Sequence, residues 1–387
     1  MNKFLKIFLI TSIVIITGCS NNNEKNIIEK MNKKLEDAKS YYLEGQMEIY
    51  NNEDTYTYDI EVSYKKGDYY KVDLTNKLNN HRQVILRNDE GVYVITPSLN
   101  KSYKFQSDWP YNNSQVYLLN SIYEDIKTDE EKTFKKNNDG YIYTSKINYP
   151  NNKSLKKQKV YIDKNNKVKK VEVLDKNNNI SIKMTFKDIE YDKKFDKNYF
   201  DINSILKPNN KIENDNKENT TKEEQNNENN EKKIEETKEE TENNTNNTKE
   251  NNTTNNTNED KKEEIQNNNE EEAINMDEIL YPMYLPTNTY LTNEEKINTT
   301  SGTRLILTFG GDSSFTLVEE TSKNNTKEQI IPVSGELGFL NDVIGVVNDN
   351  SIMWNSKGID YYLVSETIET SELIEIANSI SALPVSK

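Results

Sequence analysis

Residues 207–272 hold only three strongly apolar side chains, Ile212, Ile234 and Ile265, in a run of Asn, Glu, Lys and Thr. A chain with no apolar surface to bury cannot offset the entropy of ordering itself, and three scattered isoleucines make no heptad seam. The run is read as a disordered linker, so every folded element must come from the residues before it or after it. As a flexible coil it would span on the order of 45 Å. Charge follows the same division. The chain carries a formal net charge of −15, distributed as +2 over residues 1–19, +3 over 20–206, −10 over 207–272 and −10 over 273–387. No broad basic surface is present for nucleic acid. The local exception, Lys153 to Lys170, is read as a solvated hairpin face near an anionic membrane.

The amino terminus has its own logic. Lys3 and Lys6 precede an apolar run from Ile7 to Ile16, broken by Thr11 and Ser12 and followed by Gly18, Cys19 and a polar stretch. Such a run is short for a membrane span and has the length of a signal-peptide core. Ile16-Thr17-Gly18-Cys19 resembles the bacterial lipobox. That resemblance implies a lipoprotein: a signal peptide over residues 1–18, a diacylglyceryl group on the Cys19 thiol, and cleavage before it. Two acyl chains of the palmitate kind, at about 0.8 kcal/mol per buried methylene, anchor durably where one does not. Cys19 is the only cysteine, so the mature chain would hold neither a free thiol nor a disulfide.

Beyond Cys19 the pattern changes twice. Ile27, Met31, Leu35, Ala38 and Tyr42 recur at helical spacing, about five residues after Cys19, a reach of at most ~18 Å. The period then becomes two. Tyr56, Tyr58, Ile60, Val62 and Tyr64 alternate with polar residues, as do Ile180, Ile182, Met184 and Phe186. Strands with one apolar and one wet face belong to an antiparallel sheet. Turn residues at 66–68, 89–91, 137–140, 163–166 and 175–179 separate further strands, and Val116, Leu119, Ile122 and Ile126 mark one inserted helix. In residues 273–387, Leu305, Leu307 and Phe309 face Phe315 and Leu317 across a turn at Gly310–Ser313. Three strands follow, and then a final helix capped by Thr370 or Ser371 with Leu373, Ala377 and Ile380 inward. The fold class is mainly β with α: a lipid-anchored sheet domain over 19–206, the linker over 207–272, and a small α+β domain over 273–387 able to fold alone.

Residues 87–126, with Gly91-Val92-Tyr93 leading to Thr96-Pro97, then Phe105-Gln106-Ser107-Asp108-Trp109-Pro110 and a helix, resemble the lipoprotein-sorting proteins of the LolA/LolB type. They resemble more closely the lipid-anchored, sporulation-associated relatives found in Gram-positive spore formers. The resemblance implies a half-open antiparallel β-barrel with a helical lid over an apolar cavity. Tyr56, Tyr58, Ile60, Val62, Tyr64, Tyr93, Phe105 and Trp109 are the residues expected to line it, or else to form plain core. The carboxy-terminal part resembles a small domain of unknown function found beside such sheets and in anti-sigma-related proteins, through Tyr284-Leu285-Pro286, Trp354-Asn355 and Tyr361-Tyr362-Leu363. Soluble carriers are not acylated, and a Gram-positive cell has no outer membrane to receive cargo. The resemblance therefore favours a binding scaffold over a shuttle.

Catalytic chemistry finds little to work with. His81 is the only histidine, which excludes a histidine metal cluster, and it is read as a surface residue at the mouth of a strand. Acylation of Cys19 would remove the one thiolate. Asp175–Asn179 begins like a calcium loop, but Ile180 stands where glycine is required and Phe186 where glutamate is. No glycine-rich phosphate cradle is present. The expectation is a non-enzyme without cofactor or metal, held at the outer face of the cell membrane. It would bind a lipid or acyl ligand or a protein partner of the envelope, in sporulation or envelope maintenance. The alternative expectation is a regulatory partner of an anti-sigma factor or a cell-wall enzyme.

Overall fold

The computed structural model describes residues 18–51, 54–206, 280–299, 302–322 and 327–381. The segment up to Thr17 that was expected to be a signal peptide, with Ile16 and Thr17 of the expected lipobox, and the expected linker lie outside the described residues.

Helix α1 (Gly18–Asp37) already contains Cys19, so the expected non-helical spacer is helical. It ends five residues before Tyr42, which lies instead on the first strand, because the run from Ser40 to Leu43 alternates in and out of a sheet. Eleven strands follow. They are β1 (Ser40–Asn51), β2 (Asp54–Lys65), β3 (Tyr69–Asn76), β4 (Arg82–Asn88), β5 (Gly91–Thr96) and β6 (Lys101–Phe105), then β7 (Thr133–Lys136), β8 (Gly140–Lys146), β9 (Leu155–Asp163), β10 (Val168–Asp175) and β11 (Ile180–Tyr191). Helix α2 (Leu119–Thr128) separates β6 from β7, and α3 (Ile202–Leu206) follows β11. The carboxy-terminal part supplies β12 (Thr289–Thr299), β13 (Gly302–Gly311), β14 (Phe315–Thr321), β15 (Gln329–Val333), β16 (Glu336–Phe339), β17 (Ile344–Val347), β18 (Ser351–Ser356), β19 (Ile359–Val364) and α4 (Thr370–Ser381).

The strands make two sheets. The larger runs β15-β6-β5-β4-β3-β2-β1-β11-β10-β9-β8-β7, with β15 and β7 as its edges, so it does not close on itself. The smaller runs β12-β13-β14-β19-β18-β17-β16. One face of the large sheet buries Tyr58, Ile60, Val62 and Tyr64 of β2 with Met31 and Leu35 of α1 and Ile122 and Ile126 of α2. Over β4 and β5 the opposite face is buried too, under Phe200 and the Ile202, Ile205 and Leu206 of α3. In the small sheet Leu305, Leu307, Phe309, Phe315 and Leu317 pack with Leu373, Ile376, Ala377 and Ile380 of α4. The Phe309 and Phe315 rings stack at 4.3 Å.

The carboxy-terminal part is not an independently placed module. The described residues before position 207 and from position 280 onward belong to one compact unit. The physical reason is that strand β15 completes the large sheet, while Leu337, Ile344 and Val346 of β16 and β17 are buried in the amino-terminal core. Exposed alone, those three side chains would each cost about 1.5–3 kcal/mol of lost burial.

Candidate functional site

The residues expected to line an apolar cavity sit in two places. Tyr58, Ile60, Val62, Tyr64, Phe105 and Trp109 share one core cluster, with Tyr56 packed half-buried against it. The period of two on β2 puts them on one face, and Tyr64 meets Tyr41 and Tyr70 at ring distances of 5.1 and 4.9 Å. Tyr93 is a correction. It lies on the other face with Val84, Leu86 and Ile95, packed with Phe200 and α3. Its neighbours in β5 are apolar on both sides, the signature of a doubly covered strand rather than a one-faced one.

The helices fill the apolar face of the large sheet. Between α1, α2, Tyr143 and Ile162 the residual gap is about 10 Å³, no more than a single water. The roomy cavity lies elsewhere, where the two sheets meet. It measures about 510 Å³ and is walled by Ile49, Trp109, Tyr117 and Tyr149 on one side and by Phe339, Asn341 and Ile374 on the other. That volume is in the range of small-molecule sites. Asn113, Gln115, Asn152 and Asn378 add neutral amides to its wall, and Lys153 and Lys176 stand among its lining.

A set of buried polar contacts holds this junction together. The loop at 340–343, between β16 and β17, meets the ends of β1–β4. Gln83 Nε2 donates to the Ile344 carbonyl at 3.1 Å, and the Ile344 N–H donates to Gln83 Oε1 at 2.6 Å. The Tyr58 hydroxyl donates to the Asn341 carbonyl at 2.8 Å, and burial pushes its pKa up so that it stays a donor. Asn51 Nδ2 donates to Asn341 Oδ1 at 2.9 Å, and the Asn341 N–H donates to Asn378 Oδ1 at 3.0 Å. Asp342 is buried, which raises its pKa, while Ser356 Oγ donates to one of its oxygens at 2.8 Å. Asn51, Gln83 and Asn341 escaped the sequence reading because the partners that tie them across the junction lie more than 250 residues away. Gln83 gave a faint sign, as a polar residue opening the apolar run Val84-Ile85-Leu86.

His81 is also corrected. It is buried, 8% exposed, and burial pushes its pKa down to about 4, so the ring is neutral. Asp125 is pushed up to about 7 by burial and accepts from Ser114 Oγ at 3.0 Å and Gln158 Nε2 at 3.1 Å. Among the described residues, no group of three or more His, Cys, Asp or Glu side chains is arranged to hold a metal ion. No described helix is long and apolar enough to cross a membrane.

Fold and junction together define a mainly β sheet scaffold with few helices, whose distant segments interlock around a cavity. The chain belongs to the YdcC-like sporulation protein family, whose model matches residues 1–200. That stretch contains the residues 87–126 that carried the resemblance, and the resemblance to sporulation-associated proteins is borne out. The chain is 29% identical over 386 residues to the sporulation protein YdcC of Bacillus subtilis (strain 168), covering 98% of each. Among solved structures it is similar to the MucA/MucB complex of Pseudomonas aeruginosa, at 10% identity and TM-score 0.30, covering 91% of this chain and 97% of that one. It is also similar to a putative outer membrane lipoprotein-sorting protein domain of Vibrio parahaemolyticus, at 15% identity and TM-score 0.29, covering 47% and 97%.

Proposed function

We propose that this protein is a lipid-anchored, non-catalytic binding scaffold on the extracytoplasmic face of the cell membrane, acting in sporulation. The lipobox at Ile16–Cys19 supports the anchor, and the name of the family supports the setting. The observation that carries the binding role is the junction cavity of about 510 Å³, whose wall mixes aromatic rings with neutral amides. Such a wall suits the binding and orienting of a ligand. Because α1 and α2 fill the apolar face, an acyl chain or a protein segment would enter at the junction.

Two measurements test this reading. Cys19→Ala should abolish labelling by radioactive palmitate and move the protein from the membrane to the soluble fraction. Palmitate labelling of the alanine variant would refute the anchor. For binding, a Trp354→Phe variant leaves Trp109 as the only tryptophan. Its emission should respond saturably to a fluorescent acyl probe or to an envelope protein segment. Silence to both refutes the binding role.

The second reading, a regulatory partner of an anti-sigma factor or a wall enzyme, draws support from β15. That strand comes from more than 220 residues away and lies paired at the edge of the large sheet, an arrangement that an extended segment of a partner could imitate.

A further inference from the structure

We propose that the outer edge of β6 is an acceptor site for an extended peptide segment of a partner protein, which the chain's own β15 keeps closed. The proposal rests on the binding-scaffold reading and names the class of ligand for it. Its starting point is a contrast between two neighbouring strands. Lys101, Ser102, Tyr103 and Phe105 of β6 are all under 10% exposed, and β6 is paired antiparallel with β5 along its whole length. It is a finished edge. The strand covering it is held far more loosely. β15 is five residues long and pairs with β6 in parallel, from Gln329↔Lys101 to Val333↔Phe105, in a sheet whose other ladders are antiparallel. Parallel pairing is slightly weaker per residue, and Pro332 brings no N–H. Gln329, Ile330 and Pro332 are exposed, Ile331 is half-buried, and Val333 alone is buried. β15 therefore contributes little burial of its own, while the edge beneath it is a complete ladder of donors and acceptors.

The contacts around β15 define what a replacement must carry. Ile331 and Val333 pair with Tyr103 and Phe105, so two apolar residues at i and i+2 suit the site. Three residues beyond Val333, the Glu336 carboxylate accepts from Ser107 Oγ at 2.6 Å and from Asn112 Nδ2. At the other end Lys101 Nζ pairs with Asp360 at 2.7 Å. The ligand class is an extended segment with alternate apolar residues, followed three positions later by a carboxylate. Strand addition gives affinity through the main chain, and the alternating side chains give selectivity.

The test uses the full chain in a Cys19→Ser background and a fluorescein-labelled peptide of residues 327–336. A variant with Ile331→Asp and Val333→Asp loosens the resident strand. By fluorescence anisotropy it should bind the peptide at least tenfold tighter than the parent, and a peptide bearing the same two aspartates should not bind. Equal or absent binding to both proteins, with the variant's near-UV circular dichroism unchanged, overturns the proposal. Should the variant lose its fold, hydrogen exchange of the parent decides. β15 amides exchanging at least tenfold faster than the β4–β5 ladder supports the proposal, and equal protection overturns it. A failed peptide with a Trp109 response to the acyl probe sinks this inference alone. Silence of both also sinks the binding-scaffold reading.

Discussion

Gln83 shows how one side chain can join regions far apart in sequence. Its amide reads both the N–H and the C=O of Ile344, as a paired strand would. Gln83→Leu leaves a buried donor and a buried acceptor without partners, which should cost about 2–4 kcal/mol in urea unfolding. Glu319 poses the opposite problem. Its carboxyl is fully buried, neither oxygen has a hydrogen-bond partner of good geometry, and burial pushes its pKa from 4.5 up to about 7. The folded state therefore holds a proton that the unfolded state gives up. Stability from this group is whole below pH 4.5 and is lost as pH rises through about 7. The loss is on the order of 3 kcal/mol. Glu319→Gln should flatten that part of the pH profile and leave the variant more stable than the parent at pH 8. A parallel profile in the two proteins would argue against it. His81 acts with the reverse sign. Its buried ring stays neutral while the unfolded ring takes a proton below its ordinary 6.5, so it destabilises the fold as pH falls from there towards 4.

Among the elements, β2 was the most legible. Its strict alternation announced a one-faced strand, and Tyr58, Ile60, Val62 and Tyr64 all point into the core. β5 is different: Tyr93, expected through the resemblance to line the cavity, lies in a run buried on both sides, and the second cover, α3, comes more than a hundred residues later. The helix stripe Val116, Leu119, Ile122 and Ile126 is buried throughout, although α2 begins only at Leu119. β11 holds a bulge that no periodicity shows: Glu44 of β1 pairs with Asp188 and Gly45 with Phe186, which leaves Lys187 as the extra residue. A Cβ at Gly45 would stand 2.5 Å from the Thr185 carbonyl oxygen, which is part of the sheet backbone and has little room to give. Gly45→Ala should therefore lower stability by about 1–3 kcal/mol, read as a lower thermal midpoint. Gly67→Ala, where the nearest atoms belong to a flexible Tyr69 ring and φ is +95°, is the comparison for turn strain alone.

For the whole molecule, the junction ties the carboxy-terminal part, read from the sequence as a domain able to fold alone, to the amino-terminal sheet. The pairing of β15 with β6, the Gln83–Ile344 contacts and the burial of Leu337, Ile344 and Val346 all cross it. A specific protease site inserted within residues 209–271 should therefore cut the backbone without separating the products. They should co-elute on gel filtration after cleavage. Val346→Asp, which drives a charge into the shared core, should let them part. Separation of the unmutated halves would refute the interlocked arrangement. With α1 starting at Gly18, an anchor at Cys19 would hold the unit close to the bilayer, and the cavity and the β6 edge would work from there.

By itself the sequence determined which residues lie in strands and helices with one apolar face, and that residues 207–272 have nothing to bury. Both follow from local periodicity and composition, which the chain carries wherever it goes. Only the tertiary structure decided what those faces meet. An apolar alternation states that a surface will be covered, and nothing local records by which segment. β15 to β17 found their cover in the amino-terminal core because the loss of exposed apolar area and the pairing of buried amides outweighed closing a loop of more than 200 residues, whose entropic cost grows only with the logarithm of its length.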